Sequence, residues 1–142
     1  MDKQQEIQKK YLELQNIEQQ IKQLQQQILL LNQQLLEFMK LTESIDDFKK
    51  LNVNAKTFVT LGSGIYAEAE LKNTNKLLVN VGADVSIIRT PDEVKEMVNK
   101  QIADVKMVVK KTEEDIQGII SYAVNLQEEL KNLVENNTSQ LH

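Results

Sequence analysis

The chain has 142 residues, of which 4% are aromatic, and it contains no tryptophan, no cysteine and a single proline. This composition is typical of long, surface-rich helices rather than of a thick globular core, and the lack of cysteine excludes disulfides and thiolate metal sites. The formal net charge of −4 is spread along the chain, which argues against nucleic acid as a partner, because binding it requires clustered lysine and arginine.

The sequence also argues against secretion or membrane insertion. The opening residues, MDKQQEIQKK, lack the apolar core of a signal peptide. The longest purely aliphatic run is ILLL at 28–31, far below the ~20 residues that a membrane-spanning helix needs. We therefore expect a soluble, cytoplasmic protein with no membrane contact.

Residues 1–52 have the heptad pattern of a coiled coil. The a positions are Ile7, Leu14, Ile21, Ile28, Leu35 and Thr42, and the d positions are Lys10, Ile17, Leu24, Leu31, Phe38 and Ile45. Only Lys10 and Thr42 in this stripe are not apolar. The pattern predicts one long helix that buries the stripe against another helix.

Helical periodicity is lost in residues 53–90. Four runs rich in β-branched residues lie here: TFVTL at 57–61, IYAEAEL at 65–71, KLLVNV at 76–81 and VSIIR at 85–89. Turn sequences such as GSG and GAD separate them, so we predict two β-hairpins. Because so short a segment cannot close its own core, its strands are expected to pair with those of other subunits. No internal sequence repeat is apparent.

A second helix is predicted to begin at Pro91. Thr90 is the expected N-cap, and Glu93 is expected to reach back to the amide of the cap. Its stripe consists of Val98, Ile102, Val105, Val109, Thr112, Ile116, Ile119, Ala123, Leu126, Leu130 and Leu133. Gly118 lies off this stripe, and we expect a minor irregularity of the helix there.

The two stripes define the fold class. Neither helix can bury its stripe alone, so the simplest arrangement reverses the chain and closes the stripes on each other. We predict a mainly α, α+β protein: a long antiparallel two-helix coiled coil, formed by residues 1–52 and 91–142, with the two hairpins of residues 53–90 between its helices.

The sequence offers no constellation of catalytic groups. The single histidine, His142, is the last residue, so a serine or cysteine triad would lack its usual base. Glu113, Glu114 and Asp115 are consecutive on a predicted helix, where neighbouring side chains point about 100° apart and do not converge on a metal. We predict that the protein is not an enzyme and has no cofactor and no metal site.

Several motifs together resemble a known family. LGSGIYAEAEL at 61–71 is followed by NKLLVNVGADV at 75–85 and by the Thr-Pro helix start, all between coiled-coil helices. This combination resembles the alpha-class subunits of prefoldin, those of archaea most closely, although Thr60 stands where that family often has proline.

The resemblance implies an assembly and an activity. Two alpha-class and four beta-class subunits would form a hexamer, in which the hairpins build an intersubunit double β-barrel platform that carries six coiled coils. Such a complex would act as an ATP-independent holdase, which captures non-native polypeptides at the coiled-coil ends and delivers them to a group II chaperonin.

Two sets of residues follow from this interpretation. Subunit assembly is assigned to Leu61, Gly62, Gly64, Ile65, Ala67, Leu77, Val79, Val81, Val85 and Ile87. Client binding is assigned to apolar residues near the helix ends, some of which exceed what the stripe needs: Ile7, Tyr11, Leu12, Leu130, Leu133 and Val134. An alternative function is a coiled-coil scaffold that binds one specific folded partner, and the breadth of clients distinguishes the two.

Overall fold

The computed structural model describes residues 2–140 and their side chains through Thr138, so His142 lies outside the described residues. The elements are helix α1 (Lys3–Lys49), strands β1 (Lys56–Gly62), β2 (Ile65–Glu70), β3 (Leu77–Gly82) and β4 (Val85–Arg89), and helix α2 (Pro91–Gln140). The prediction of two long helices around four strands is confirmed, and each strand end lies within a residue of its expected place. No described helix contains an apolar stretch long enough to cross a bilayer.

Both predicted stripes are withdrawn from solvent. Every member of each stripe is buried or half-buried, including Lys10 and Thr42. The hydroxyl of the buried Thr112 is hydrogen bonded within its own helix, because it donates to the Val108 carbonyl oxygen at 2.8 Å. Full burial of an aliphatic side chain contributes roughly 1.5–3 kcal/mol, and the half-buried members contribute less, so the stripes stabilise the helices mainly through their buried members.

The chain divides into two compact units. We call residues up to 33 and from 106 onward the terminal unit, and residues 34–105 the central unit. The terminal unit contains the first part of α1 and the last part of α2. The central unit contains the remainder of both helices and the two hairpins.

A small apolar core joins the β3–β4 hairpin to the two helices in the central unit. Ile45 of α1 and Val94 and Val98 of α2 are its buried members, and the half-buried side chains packed against them are Phe38, Ile102, Leu77 and Val79. One face of β3 therefore covers the helices. Lys95 Nζ, 2.8 Å from Asp46 Oδ1, links α2 to α1 across the rim of this core.

The N-terminus of α2 follows its predicted start with one difference. The Glu93 N–H donates to Thr90 Oγ1 at 3.2 Å, as a capping threonine requires. The Glu93 carboxylate, however, accepts from the Thr90 hydroxyl at 3.1 Å rather than from the cap amide. The Arg89 guanidinium lies 3.5 Å from the same carboxylate and helps to hold it in that position.

Helix α2 is continuous through Gly118, so the predicted irregularity there is wrong. A glycine inside a helix costs about 0.5–1 kcal/mol relative to alanine. That cost is small beside the burial energy of a stripe as long as this one.

The two hairpins share one backbone plan. Each has a bulge before a two-residue loop, and both loop residues have positive φ: Ser63 and Gly64 in the first hairpin, Ala83 and Asp84 in the second. Paired positive φ values of this kind match the twist of the flanking strands.

In each bulge, a side-chain oxygen accepts a hydrogen bond from the backbone N–H of the glycine two residues later. Thr60 Oγ1 accepts from the Gly62 N–H at 3.1 Å, and Asn80 Oδ1 accepts from the Gly82 N–H at 2.9 Å. Thr60 corresponds to Asn80, and Gly62 to Gly82, at a constant offset along the chain. The hairpins are thus a structural repeat, and the expectation of no internal repeat holds only for residue identity.

Candidate functional site

A groove between the helices of the terminal unit brings together several of the predicted client-binding residues. Its volume is about 640 Å³. We call it the apolar groove; its apolar lining consists of Tyr11, Leu14, Leu130 and Val134, and its polar lining of Gln15, Glu18, Gln127, Lys131 and Glu135.

The groove arises from the register of the two stripes. Tyr11 and Val134 each follow a stripe residue by one position, and they are 53% and 39% exposed. Leu130 is only 6% exposed, because it belongs to the buried stripe, so it forms the floor of the groove rather than a free binding residue. Apolar side chains at the rim and floor, flanked by charges of both signs, can accept an apolar side chain from another molecule.

The remaining predicted client-binding residues lie elsewhere. Leu12 is exposed and lines neither side of the apolar groove, and Ile7 is half-buried in its stripe. Leu133 faces a different, polar groove whose other lining residues are Glu6, Lys9, Lys10, Glu13, Glu129, Asn132 and Asn136. The structure thus unites Tyr11, Leu130 and Val134 and separates the other three.

Two polar contacts join the helices on the side of Leu133. Lys10 Nζ donates to Glu129 Oε2 at 2.9 Å, and this hydrogen bond raises the pKa of Lys10 above its ordinary value. The Tyr122 hydroxyl donates to Glu13 Oε1 at 2.5 Å. That hydrogen bond, and next the negative charge of Glu13, raise the pKa of Tyr122, because both favour the protonated phenol.

The predicted assembly residues divide into two groups. Ala67, Leu77, Val79 and Ile87 are half-buried, and Leu77 and Val79 pack on the central core. The exposed group consists of Leu61, Ile65, Val81 and Val85. Gly62 and Gly64 contribute backbone geometry, with φ values of 123° and 79°.

Sequence reasoning missed the outward face of the hairpins. Leu78 and Ile88 are cross-strand partners and are 72% and 60% exposed; Phe58 and Tyr66 of the first hairpin are similarly exposed. The available signal was the run Leu77–Val79, which places apolar residues on both faces of β3. Such a run is typical of strands that are covered on both sides.

The described residues contain no group of three or more histidine, cysteine, aspartate or glutamate side chains placed to hold a metal ion. Several ionisable side chains of the terminal unit, such as Lys10 and Glu129, pair across the helices or border its grooves. The apolar and charged side chains that line these grooves are suited to reversible binding of another molecule.

A family model described as "Prefoldin subunit" matches residues 17–136. The chain belongs to the prefoldin family. It is similar to Prefoldin subunit alpha of Archaeoglobus fulgidus, with 28% identity over 130 residues that cover 92% of this chain and 95% of the relative. It is also 33% identical over 76 residues to Prefoldin subunit alpha of Methanococcus maripaludis, covering 54% of this chain and 48% of that one.

A solved structure shows the same fold. A chain of the filamentous PFD from Methanocaldococcus jannaschii, determined by cryo-EM, matches with a TM-score of 0.77 and 18% identity over 84% of this chain and 98% of the other. The resemblance to alpha-class prefoldin subunits is confirmed. As a prefoldin, the chain is a chaperone subunit of a family whose members assemble with other prefoldin subunits.

Proposed function

We propose that the chain is a subunit of an ATP-independent cytoplasmic holdase, in a hexamer of two alpha-class and four beta-class prefoldin subunits. The complex captures non-native polypeptides with its helix ends and delivers them to a group II chaperonin. The observation that carries this proposal is the apolar groove, in which Tyr11 and Val134 remain exposed above the buried Leu130.

The groove suits weak and unselective capture. Its walls are helices, whose backbone groups are already hydrogen bonded along their length, so mainly side chains contact a client. Burial of apolar surface contributes ~25 cal/mol per Å² regardless of client sequence. Each contact is weak, but several helix ends that act on one unfolded chain raise the overall affinity. Weak individual contacts also allow release without nucleotide hydrolysis.

The hairpins support the assembly part of the proposal. Within the described residues each strand pairs with a single neighbour, so each hairpin leaves two unpaired edges. Exposed Leu78 and Ile88 lie beside such edges. Unpaired edges with apolar side chains recruit strands from other chains, which agrees with a platform built from the hairpins of several subunits.

The test is the suppression of aggregation of a chemically unfolded protein, without ATP, by the complex formed with beta-class subunits. Replacing Tyr11 and Val134 together with serine is expected to raise the concentration needed for half-maximal protection about three- to tenfold, because two apolar contacts are lost in each alpha chain. The matched control replaces Leu29 and Val108 with serine. These two residues are exposed on the same helices outside the groove. The control should protect as well as the original.

The same assay separates the holdase from the scaffold alternative. Protection of several unrelated unfolded proteins agrees with a holdase. An intact, correctly assembled complex that protects none of them, and binds one folded partner instead, would contradict the proposal.

A further inference from the structure

A second groove of the terminal unit differs from the apolar groove in charge. We call it the flank groove; its volume is about 790 Å³. Helix α1 supplies Glu13, Asn16, Ile17, Gln20 and Leu24, and helix α2 supplies Glu114, Asp115, Gly118, Ile119 and Tyr122.

The floor of the flank groove is apolar and its rim is acidic. Ile17 is 8% exposed and Leu24 and Ile119 are half-buried, so they form the floor. Carboxylates enter the rim from both helices, and no lysine, arginine or histidine belongs to the described residues that line it. The Tyr122 hydroxyl, bonded to Glu13 at 2.5 Å, holds one of these carboxylates at the edge of the groove.

Gly118 keeps this groove open. A Cβ atom placed on Gly118 would meet no atom within 4 Å, and the residue lies within continuous helix. Neither close packing nor backbone geometry therefore requires glycine here, although glycine costs about 0.5–1 kcal/mol relative to alanine. What the glycine does is leave the wall of the groove without a side chain.

We propose that the flank groove binds a basic amphipathic segment of a non-native client, in which apolar side chains alternate with lysine or arginine. The apolar side chains contact Ile17, Leu24 and Ile119, while the cationic groups pair with the rim carboxylates. Charge complementarity selects this occupant, because an acidic segment would meet like charges. This proposal rests on the proposed holdase function and adds a preference among its clients.

The apolar groove and the flank groove are expected to differ in how strongly they select clients by charge. The apolar groove has Lys131 as well as Glu18 and Glu135 on its rim, so it does not discriminate strongly by charge. The charged residues that line the flank groove are all acidic. A client segment that is both apolar and basic therefore gains a second site of attachment on the same helix pair.

The inference is tested with three fluorescent 12-residue peptides, composed of Leu/Lys, Leu/Glu or Gln/Lys. Binding to the full-length chain in its complex with beta-class subunits is followed by fluorescence anisotropy. The Leu/Lys peptide should bind at least about tenfold more tightly than either control, since only it satisfies both floor and rim. Its affinity should fall as salt rises from 0.1 to 0.5 M, because salt screens exposed charge pairs.

Substitutions locate the binding site. Gly118→Leu fills the groove and is expected to raise the Kd of the Leu/Lys peptide about tenfold while favouring the helix, since leucine is a better helix former. Gln117→Leu adds the same side chain at an exposed neighbour that does not line the groove, and should leave the Kd unchanged. The double substitution Glu114→Gln and Asp115→Asn should raise the Kd of the Leu/Lys peptide about three- to tenfold. Glu113→Gln, at a residue that does not line the groove, should leave this Kd unchanged.

The possible results test the binding preference of the flank groove separately from the proposed holdase function. Equal affinity for the Leu/Lys and Leu/Glu peptides, or a Kd that Gly118→Leu does not change, would overturn the inference. If the same complex still suppresses aggregation, the holdase proposal stands. Conversely, failure of the intact complex to protect unfolded proteins would refute the holdase function even if the Leu/Lys peptide binds.

Discussion

The central and terminal units both expose apolar side chains, but they differ in what their backbones offer. In the part of the chain that the structure describes, the hairpins of the central unit have unpaired strand edges, so a partner can add hydrogen bonds at a fixed register. The helices of the terminal unit bond their backbone groups internally, and a ligand meets mostly side chains. Edges therefore suit selective, lasting assembly, whereas helix grooves suit weak and changeable binding.

A second difference distinguishes the hairpins themselves. The β3–β4 hairpin packs Leu77 and Val79 against the buried core of its own chain. The β1–β2 hairpin contributes no side chain to that core among the described residues, and its Phe58 is 70% exposed. We therefore expect the first hairpin to depend more on contacts with other subunits than the second.

The largest expected effect comes from breaking the backbone plan of a hairpin. Gly62 has φ 123°, which side chains rarely tolerate, so Gly62→Val should abolish assembly with beta-class subunits. Gly64→Asp is the matched control, because Asp84 occupies the equivalent position with φ 59°. Native mass spectrometry of the co-expressed subunits measures both; assembly of the Gly62→Val chain would show that the edge geometry is dispensable.

A smaller effect is expected on the free energy of unfolding, which should distinguish buried stripe residues from groove residues in the terminal unit. Leu126 is 3% exposed, so Leu126→Ala should lower the free energy of unfolding by about 2–5 kcal/mol through loss of buried surface and a residual cavity. Tyr11→Ala should cost less than about 1 kcal/mol, because Tyr11 is half exposed. Urea denaturation compares them, and equal losses would place Tyr11 in the core rather than at a binding surface.

The smallest expected effect concerns the bond between Tyr122 and Glu13. The pKa of Tyr122 is raised above its ordinary value of 10.0, so the bond stabilises the folded chain below that pH and is lost as pH rises through the raised pKa. The melting temperature should therefore fall more between pH 9 and pH 11.5 for the original chain than for Tyr122→Phe. Identical falls would show that the bond contributes nothing in solution.

Periodicity predicted most of the fold but not the orientation of its surfaces. The stripes and the start at Pro91 follow from spacing and capping, which act locally. Leu77 and Leu78 are chemically alike and point to opposite faces, so no pattern tells which one meets the core. Thr60 and Asn80 perform one backbone role with different side chains, and this hides the repeat of the hairpins from residue comparison.

The candidate site was predictable only in part. Tyr11 and Val134 are apolar, and each lies one position after a stripe residue. The sequence alone shows that these two side chains are not needed to complete the stripes. The flank groove was not predictable, because it depends on Glu13 and Glu114 coming from helices that are distant in sequence. The sequence shows Gly118, but its role could not be inferred without the structure, which shows open space beside this residue.

Site-specific photo-crosslinking tests the division between assembly and client binding most directly. The exposed aromatic residues Tyr11 and Phe58 are each replaced with a photoreactive phenylalanine in the full complex, which is then mixed with a labelled unfolded protein and irradiated. We predict that position 11 crosslinks to the unfolded protein and position 58 to partner subunits. Crosslinks to the unfolded protein from position 58, with none from position 11, would contradict the account.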